Sequence, residues 1–466
     1  MTGGGLAPAQ DVIEDALRAA DGACIVIVEE SSEAEVRFAN NTSTTNGVRR
    51  DRRTTVVRFA GGVDGTAAGV ASRDGAVEVV DLVAAAGRDA AGSPAAPDAA
   101  PLLDPAGAAP SPSPFDEGPA TTDLAVLSGV LGALGGAFGR AGAAGRQLAG
   151  FAEHRMATVY LGSSTGLRLR HAQPTGAFHL VGRGDGGANS SWVGRGTADF
   201  ADVDVAALED ELGRRMAWGR RRLELDAGRY EVVLPPDAVA DLMIGLVGSA
   251  GGQEAEDGRT AFSAPGGGTR VGESLARLPF DLRSDPDEPG LACTPFVVAT
   301  RSDADVSVFD NGLGLGPTAW VDGGRVGRLR YHRAGAARAG VAPCPPVDNL
   351  VLGTAGATGS VDDLVARTGR GLLLTCLWYI REVDAATLLL TGLTRDGVYL
   401  VEDGAVVGAV NNFRFNESPV DLLSRVTEVG ATVRALGREY GEWVNRTAMP
   451  ALRVPDFNMS STSAAS

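Results

Sequence analysis

Val347-Asp348-Asn349-Leu350-Val351-Leu352-Gly353 opens the stretch that decides the fold. It continues through Ser360-Val361-Asp362-Asp363-Leu364, Thr368-Gly369-Arg370-Gly371-Leu372-Leu373 and Trp378-Tyr379-Ile380. Asp396-Gly397-Val398-Tyr399-Leu400-Val401-Glu402-Asp403-Gly404-Ala405-Val406-Val407-Gly408 follows, and the block closes on Asn411-Asn412-Phe413. Both Asp-Gly pairs lie between β-branched runs, a strong short-range signal for hairpin turns. Stacked hairpins with amides at their strand ends suit an extended peptide better than a nucleotide.

Working outward, 466 residues exceed one ordinary core, so two domains are expected, and 44% hydrophobic content is ample for burial. A formal charge of −16 argues against a nucleic-acid surface. All 42 positive charges are arginine. The absence of lysine removes Schiff-base, pyridoxal-phosphate and Walker-type chemistry. Cys24, Cys293, Cys344 and Cys376 are scattered and suggest no disulfide framework, which fits a cytoplasmic protein. Residues 1–10 lack the features of a signal peptide. The apolar run 124–139 is shorter than the ~20 residues of a spanning helix, so no membrane segment is expected.

An α+β fold follows: an N-terminal α/β sandwich-like domain over 1–225, then a largely antiparallel, strand-rich domain over 226–466. Residues 11–20 read as an amphipathic helix and 24–28 as the strand it covers. Residues 37–39 and 54–59 continue a sheet, and 75–90 read as a strand and helix. The Ala/Pro-rich stretch 91–120 reads as a loose surface excursion, followed by an Ala/Gly-rich helix over 123–153. Residues 167–173 and 177–181 read as a hairpin turning at Pro174-Thr175-Gly176, which sets His171 across from His179. Such a pair can share a metal, but no third ligand is visible. Residues 204–222 read as a helix with acids first and arginines last, solvated and self-paired.

The remaining motifs are weaker. Gly266-Gly267-Gly268-Thr269-Arg270 lacks the lysine of a phosphate loop and reads as a flexible turn. Gly182-Arg183-Gly184-Asp185-Gly186-Gly187 reads as a loop. Cys376, in an apolar run, reads as a buried structural thiol. Asn411, Asn412, Asn416 and Glu417 are the polar groups expected nearest to function, holding a peptide beside the backbone or satisfying their own turn.

In its order of motifs the chain resembles the TldD/PmbA family of peptidases. The resemblance rests on the C-terminal block, on Glu35-Val36-Arg37-Phe38-Ala39-Asn40-Asn41 with Thr44-Thr45-Asn46-Gly47, and on Ala227-Gly228-Arg229-Tyr230-Glu231-Val232-Val233-Leu234-Pro235-Pro236. Gly272-Glu273, Ser284-Asp285-Pro286 and Phe309-Asp310-Asn311-Gly312 fall in the same order. The family's catalytic subunit carries a His-Glu-x-x-x-His zinc motif on the helix after the proline pair, and a later cysteine completes the site. Here that helix reads Asp237-Ala238-Val239-Ala240-Asp241-Leu242-Met243-Ile244-Gly245-Leu246-Val247-Gly248, without histidine. The tail Pro450-Ala451-Leu452-Arg453-Val454-Pro455 resembles the PmbA/TldE-like branch.

The resemblance therefore implies a subunit with no cofactor of its own, paired with a TldD-like zinc subunit and acting on peptides. A homodimer is the form expected without that partner. It also implies that Arg270 lies along the inter-subunit channel and grips a peptide carboxylate. The alternatives are an independent metal peptidase using His171 and His179, or a non-catalytic modulator of the kind the family's association with gyrase and toxin maturation suggests.

Overall fold

The computed structural model of the chain describes residues 6–62, 65–187 and 189–463. Its first layer is built from α1 (Ala9–Ala19), β1 (Cys24–Ala39), β2 (Thr42–Gly62), β3 (Gly65–Asp74), α2 (Val79–Gly92), α3 (Ser128–Ala143), β4 (Gln147–Ser163), β5 (Arg168–Gly184), β6 (Asn189–Thr197) and α4 (Val205–Trp218). The strands form one antiparallel sheet in the order β3-β2-β1-β4-β5-β6. β1 and β2 join through Asn40 and Asn41, whose φ values of 51° and 59° are those of a tight hairpin turn.

Then come β7 (Arg222–Leu223), β8 (Gly228–Leu234), α5 (Pro236–Gly248), α6 (Gly252–Glu256), β9 (Asp281–Ser284), β10 (Thr318–Asp322), β11 (Arg325–Val326), α7 (Arg333–Ala339), β12 (Leu350–Gly353) and α8 (Val361–Ala366). The chain ends with β13 (Arg370–Leu374), β14 (Leu377–Asp384), β15 (Leu389–Thr394), β16 (Val398–Glu402), β17 (Ala405–Val410), β18 (Asn412–Glu417), α9 (Pro419–Arg425), β19 (Glu428–Val429), β20 (Val433–Ala435), β21 (Thr447–Met449) and β22 (Leu452–Ser463). One sheet runs β14-β15-β18-β22-β8-β13-β16-β17-β7, with β19 on β22, and a smaller one runs β11-β10-β9-β12-β21-β20. Most pairs are antiparallel; β8 with β13, β7 with β17 and β12 with β21 are parallel. α5 lies in the largest core among Phe280, Leu352, Leu374, Phe413 and Phe457. The expected α+β class, with a largely antiparallel second half, is what forms.

Several local expectations change. The helix expected over 123–153 stops at Ala143, where Gly145 takes a φ of 69°, and residues 147–153 become the start of β4. Their Ala, Leu and Glu favour helix intrinsically, but pairing with β1 and β5 buries Leu148 and Ala152 and overrides that weak preference. With its leading 3-10 turn this helix spans Leu124–Ala143, 20 residues, long and apolar enough to cross a membrane by length and composition. One face of it packs on the first sheet, with Val130, Leu134, Ala137 and Ala141 buried at helical spacing. The strand expected within 75–90 falls earlier, as β3.

The segment 91–120 forms no strand, and no helix beyond the end of α2, yet it is not loose. Ala99, Ala100, Leu102 and Leu103 pack on a core shared by β1, β5 and Phe309. Ser307 donates to Asp98 at 2.6 Å, and Arg333 and Arg338 donate to the carbonyls of Pro101 and Pro97. The chain buries its small side chains against surfaces supplied from elsewhere, which composition alone does not reveal.

Of the two Asp-Gly pairs, Asp403-Gly404 (φ 48° and 78°) joins β16 to β17 in a two-residue hairpin. Asp396-Gly397 does not make one. β15 and β16 are separated in the sheet by four strands, and this turn is a crossover.

Candidate functional site

α5 is introduced by Pro235 as cap and Pro236 in its first turn, where a missing N–H costs nothing. Ala238, Val239, Leu242, Met243 and Leu246 are buried, and so is Asp241. Asp237 and Asp241, one turn apart, share a face. Leu436 N–H donates to Asp237 Oδ1 at 2.9 Å. Asp241 accepts three backbone N–H groups: Arg438 on Oδ2 at 2.9 Å, and Glu439 and Tyr440 on Oδ1 at 3.0 and 2.9 Å. These carboxylates hold the loop 436–440. The approach is so close that a Cβ on Gly437 would lie 2.5 Å from Asp241 Oδ1. Burial pushes the Asp241 carboxyl up to about 7 against the three N–H donors, and the charge of Glu439 adds to the rise.

The residues that would have to hold zinc are engaged elsewhere. His171 and His179 do not face each other across a hairpin, because residues 168–184 form the single strand β5. They pair with Val159 and Phe151 of β4, and eight residues of strand put them about 26 Å apart. Pro174 is tolerated inside this strand because β6 pairs with β5 only from Gly176 onward, leaving a free edge before it. His179 stacks on Phe151 at 4.4 Å and accepts from Trp192 Nε1 at 3.3 Å. Burial, then the Arg438 charge, drive its pKa down to about 3. His171 bonds Gln173 at 3.1 Å, His154 bonds Thr122 and Ala198, and His332 caps α7. Among the described residues no three His, Cys, Asp or Glu side chains converge as a metal cluster. Burial drives the Cys376 thiol well up, away from thiolate character. This donor set does not fit a zinc centre.

A trough of about 940 Å³ lies over the first sheet. Odd-numbered residues of β1, β4 and β5 line it, including Glu29, Arg37, Phe151, Glu153, Arg155, Gln173 and His179, with Pro346, Asp348 and Trp443 from the second half opposite. Asn445 donates to the Gly176 carbonyl at 3.2 Å and Arg446 to the Pro174 carbonyl at 2.8 Å, tying the two halves across its floor. Trp443 is 72% exposed and stacks on Tyr440 at 4.9 Å. Burial and the nearby Glu33, Glu35 and Glu442 raise the Glu153 pKa.

Farther along β5 the same face carries Val181 and Arg183 into a cleft of about 370 Å³, closed by Trp378, Tyr379, Arg395, Asp396 and Arg438. Beyond Asp396 and Ser190 lies a cavity of about 250 Å³ lined by Asn411 and Asn412. Asn411 Oδ1 accepts the Leu225 N–H at 2.8 Å, while its buried Nδ2 has no acceptor among the described residues. The fold thus brings the two asparagines beside the cleft. It leaves Arg270 in its own loop, paired with Glu273 at 2.9 Å and donating to the Ala261 carbonyl at 2.8 Å. Glu417 is structural, accepting the Asn458 N–H at 2.6 Å and bonding Arg425. Sequence reasoning missed Arg183, Asp396 and Arg438. The one available signal was the Asp237/Asp241 spacing on an otherwise apolar helix.

Residues 227–461 match the family described as the PmbA/TldA metallopeptidase C-terminal domain. No curated protein matches the chain in sequence. Among solved structures it is similar to TldE from Thermococcus kodakarensis, with a TM-score of 0.76 and 16% identity over 97% of this chain and 99% of that one. A Bacteroides thetaiotaomicron protein named for modulation of DNA gyrase gives 0.74 and 16% over 97% and 98%. A Thermotoga maritima protein of the same name gives 0.74 and 14% over 96% and 99%. The structural likeness extends the shared fold over nearly the whole chain, and with half of its sequence matched by the family the chain belongs to the TldD/PmbA family.

Proposed function

We propose that this chain is the TldE-type, zinc-free subunit of a two-subunit cytoplasmic metallopeptidase that cuts unfolded or modified peptides. One observation carries the reading. On the helix where the family resemblance puts zinc-binding histidines, the polar side chains are Asp237 and Asp241, which accept one and three backbone N–H groups of residues 436–440. The TldD-like partner supplies zinc and activates water. This chain supplies a wall of the chamber: the trough accepts an extended segment, its aromatic side chains exclude water from it, and its narrowness bars folded substrates. The asparagine cavity lies farther along the same surface.

The test is zinc content by mass spectrometry, for the chain purified alone and after co-expression with a TldD-like subunit, together with peptide cleavage by each. Zinc and cleavage only in the pair support the reading. Stoichiometric zinc in the isolated chain overturns it, and a pair that never cleaves peptide favours a modulator role.

A further inference from the structure

In a chain of charge −16, the cleft at Asp396 is lined by three guanidinium groups, of Arg183, Arg395 and Arg438, against one carboxylate. That carboxylate is already occupied. Ser190 donates to Asp396 Oδ1 at 2.6 Å, and Arg395 Nε lies 3.7 Å from its Oδ2. Among the described residues, the Arg438 and Arg183 side chains have neither an ion pair nor a hydrogen bond. The Arg438 guanidinium lies over Trp378 at 4.3 Å and over Trp192 at 5.3 Å. Three buried donors at this place, Arg395 Nε, Arg438 Nε and Trp378 Nε1, have no hydrogen-bond acceptor among the described residues. Buried donors are normally paired, so a cluster of orphans around unneutralised cations marks a missing acceptor.

The arrangement is also preorganised. The Arg438 backbone N–H is held by Asp241, and two indole faces fix its guanidinium plane while shielding it from water. A guanidinium fork matches a carboxylate with two parallel hydrogen bonds. The cleft continues the trough along β5, from His179 through Val181 to Arg183. We infer that Arg438, with Arg183 and Arg395, forms a site for the carboxylate of a peptide lying in the trough. This inference rests on the peptide-chamber reading and adds to it a substrate feature. A C-terminal carboxylate and an acidic side chain offer this site the same chemistry.

The experiment uses the full chain and three short fluorescein-labelled peptides of one uncharged sequence: the free acid, the C-terminal amide, and the amide carrying one internal Asp. Fluorescence anisotropy should show the free acid binding about tenfold tighter than the plain amide. Arg438→Ala should abolish that preference and Arg438→Lys restore part of it. Arg183→Ala, at an exposed side chain with no hydrogen bond or ion pair among the described residues, leaves the packed core untouched and should reduce the preference about threefold. Tight binding of the Asp-containing amide assigns the site to carboxylates generally; weak binding assigns it to the chain terminus. Equal binding of acid and plain amide, no binding of either up to about 1 mM, or discrimination unchanged in both arginine variants overturns the inference. If the zinc-loaded pair cleaves acid and amide alike, the carboxylate site falls while the chamber reading stands. Failure of that pair to cleave any peptide removes the chamber reading instead.

Discussion

Replacing Asp241 tests the loop anchor on which the trough and the arginine cleft both depend. In Asp241→Ala the N–H groups of Arg438, Glu439 and Tyr440 lose their acceptor at a position with 0% exposure. Each orphaned donor costs about 1–3 kcal/mol, so even with partial relaxation the variant should lose about 3 kcal/mol or more. Asp241→Asn keeps an oxygen for Glu439 and Tyr440 but turns an NH₂ toward the Arg438 N–H, a loss of about 1–3 kcal/mol. Urea unfolding read by tryptophan fluorescence, with midpoints compared at constant m, measures both. The folded pKa of about 7 lies above the ordinary 3.8. The folded chain therefore binds this proton more tightly than the unfolded chain does. The stability from this group is complete below pH 3.8 and is lost as pH rises through 7. From about pH 5 to about pH 8 the loss is about 2–3 kcal/mol. The asparagine variant has no such titration, so its deficit against wild type should shrink by that amount over the same window, other groups cancelling. A deficit independent of pH would refute the titration of Asp241. A loss below about 1 kcal/mol in Asp241→Ala would show that the carboxylate does not hold the loop.

Other outcomes follow from neighbouring features. Gly437→Ala, forcing a Cβ to 2.5 Å from Asp241 Oδ1, should destabilise by about 1–3 kcal/mol and weaken free-acid peptide binding, measured by unfolding and anisotropy together. His179 titrates in the opposite sense: its folded pKa of about 3 lies below the ordinary 6.5. The stability it contributes is present above pH 6.5 and lost as pH falls through 3, and its imidazole signals in NMR should stay those of the neutral ring as pH falls through 6.5. Leu134→Ala on α3, at 3% exposure, should cost about 2–4 kcal/mol in urea unfolding, because the helix packs on protein.

Reading residues in order exposed whatever depends on near neighbours. Pro235-Pro236 announced α5, the acids that begin at Asp204 announced α4, and Asp403-Gly404 gave a true hairpin. Local signals misled where a distant partner decided. Pro174-Thr175-Gly176 has turn composition, yet β4 carries β5 straight through it and parts His171 from His179. Asp396-Gly397 has the backbone preference of a hairpin, yet β16 pairs with β13 and β17, so the turn delivers Asp396 to Ser190 instead.

The sequence by itself determined the α+β class, the family, the lack of lysine chemistry and the missing histidines of α5, because each follows from residue identity and short-range order. Only the tertiary structure decided what replaces those histidines. Asp241 meets residues 438–440 almost two hundred positions later, and Arg438 meets Trp192 and Trp378 from two different sheets. Such meetings depend on which strands pair across the whole chain, and strand pairing is set by the burial of distant apolar faces rather than by any local signal.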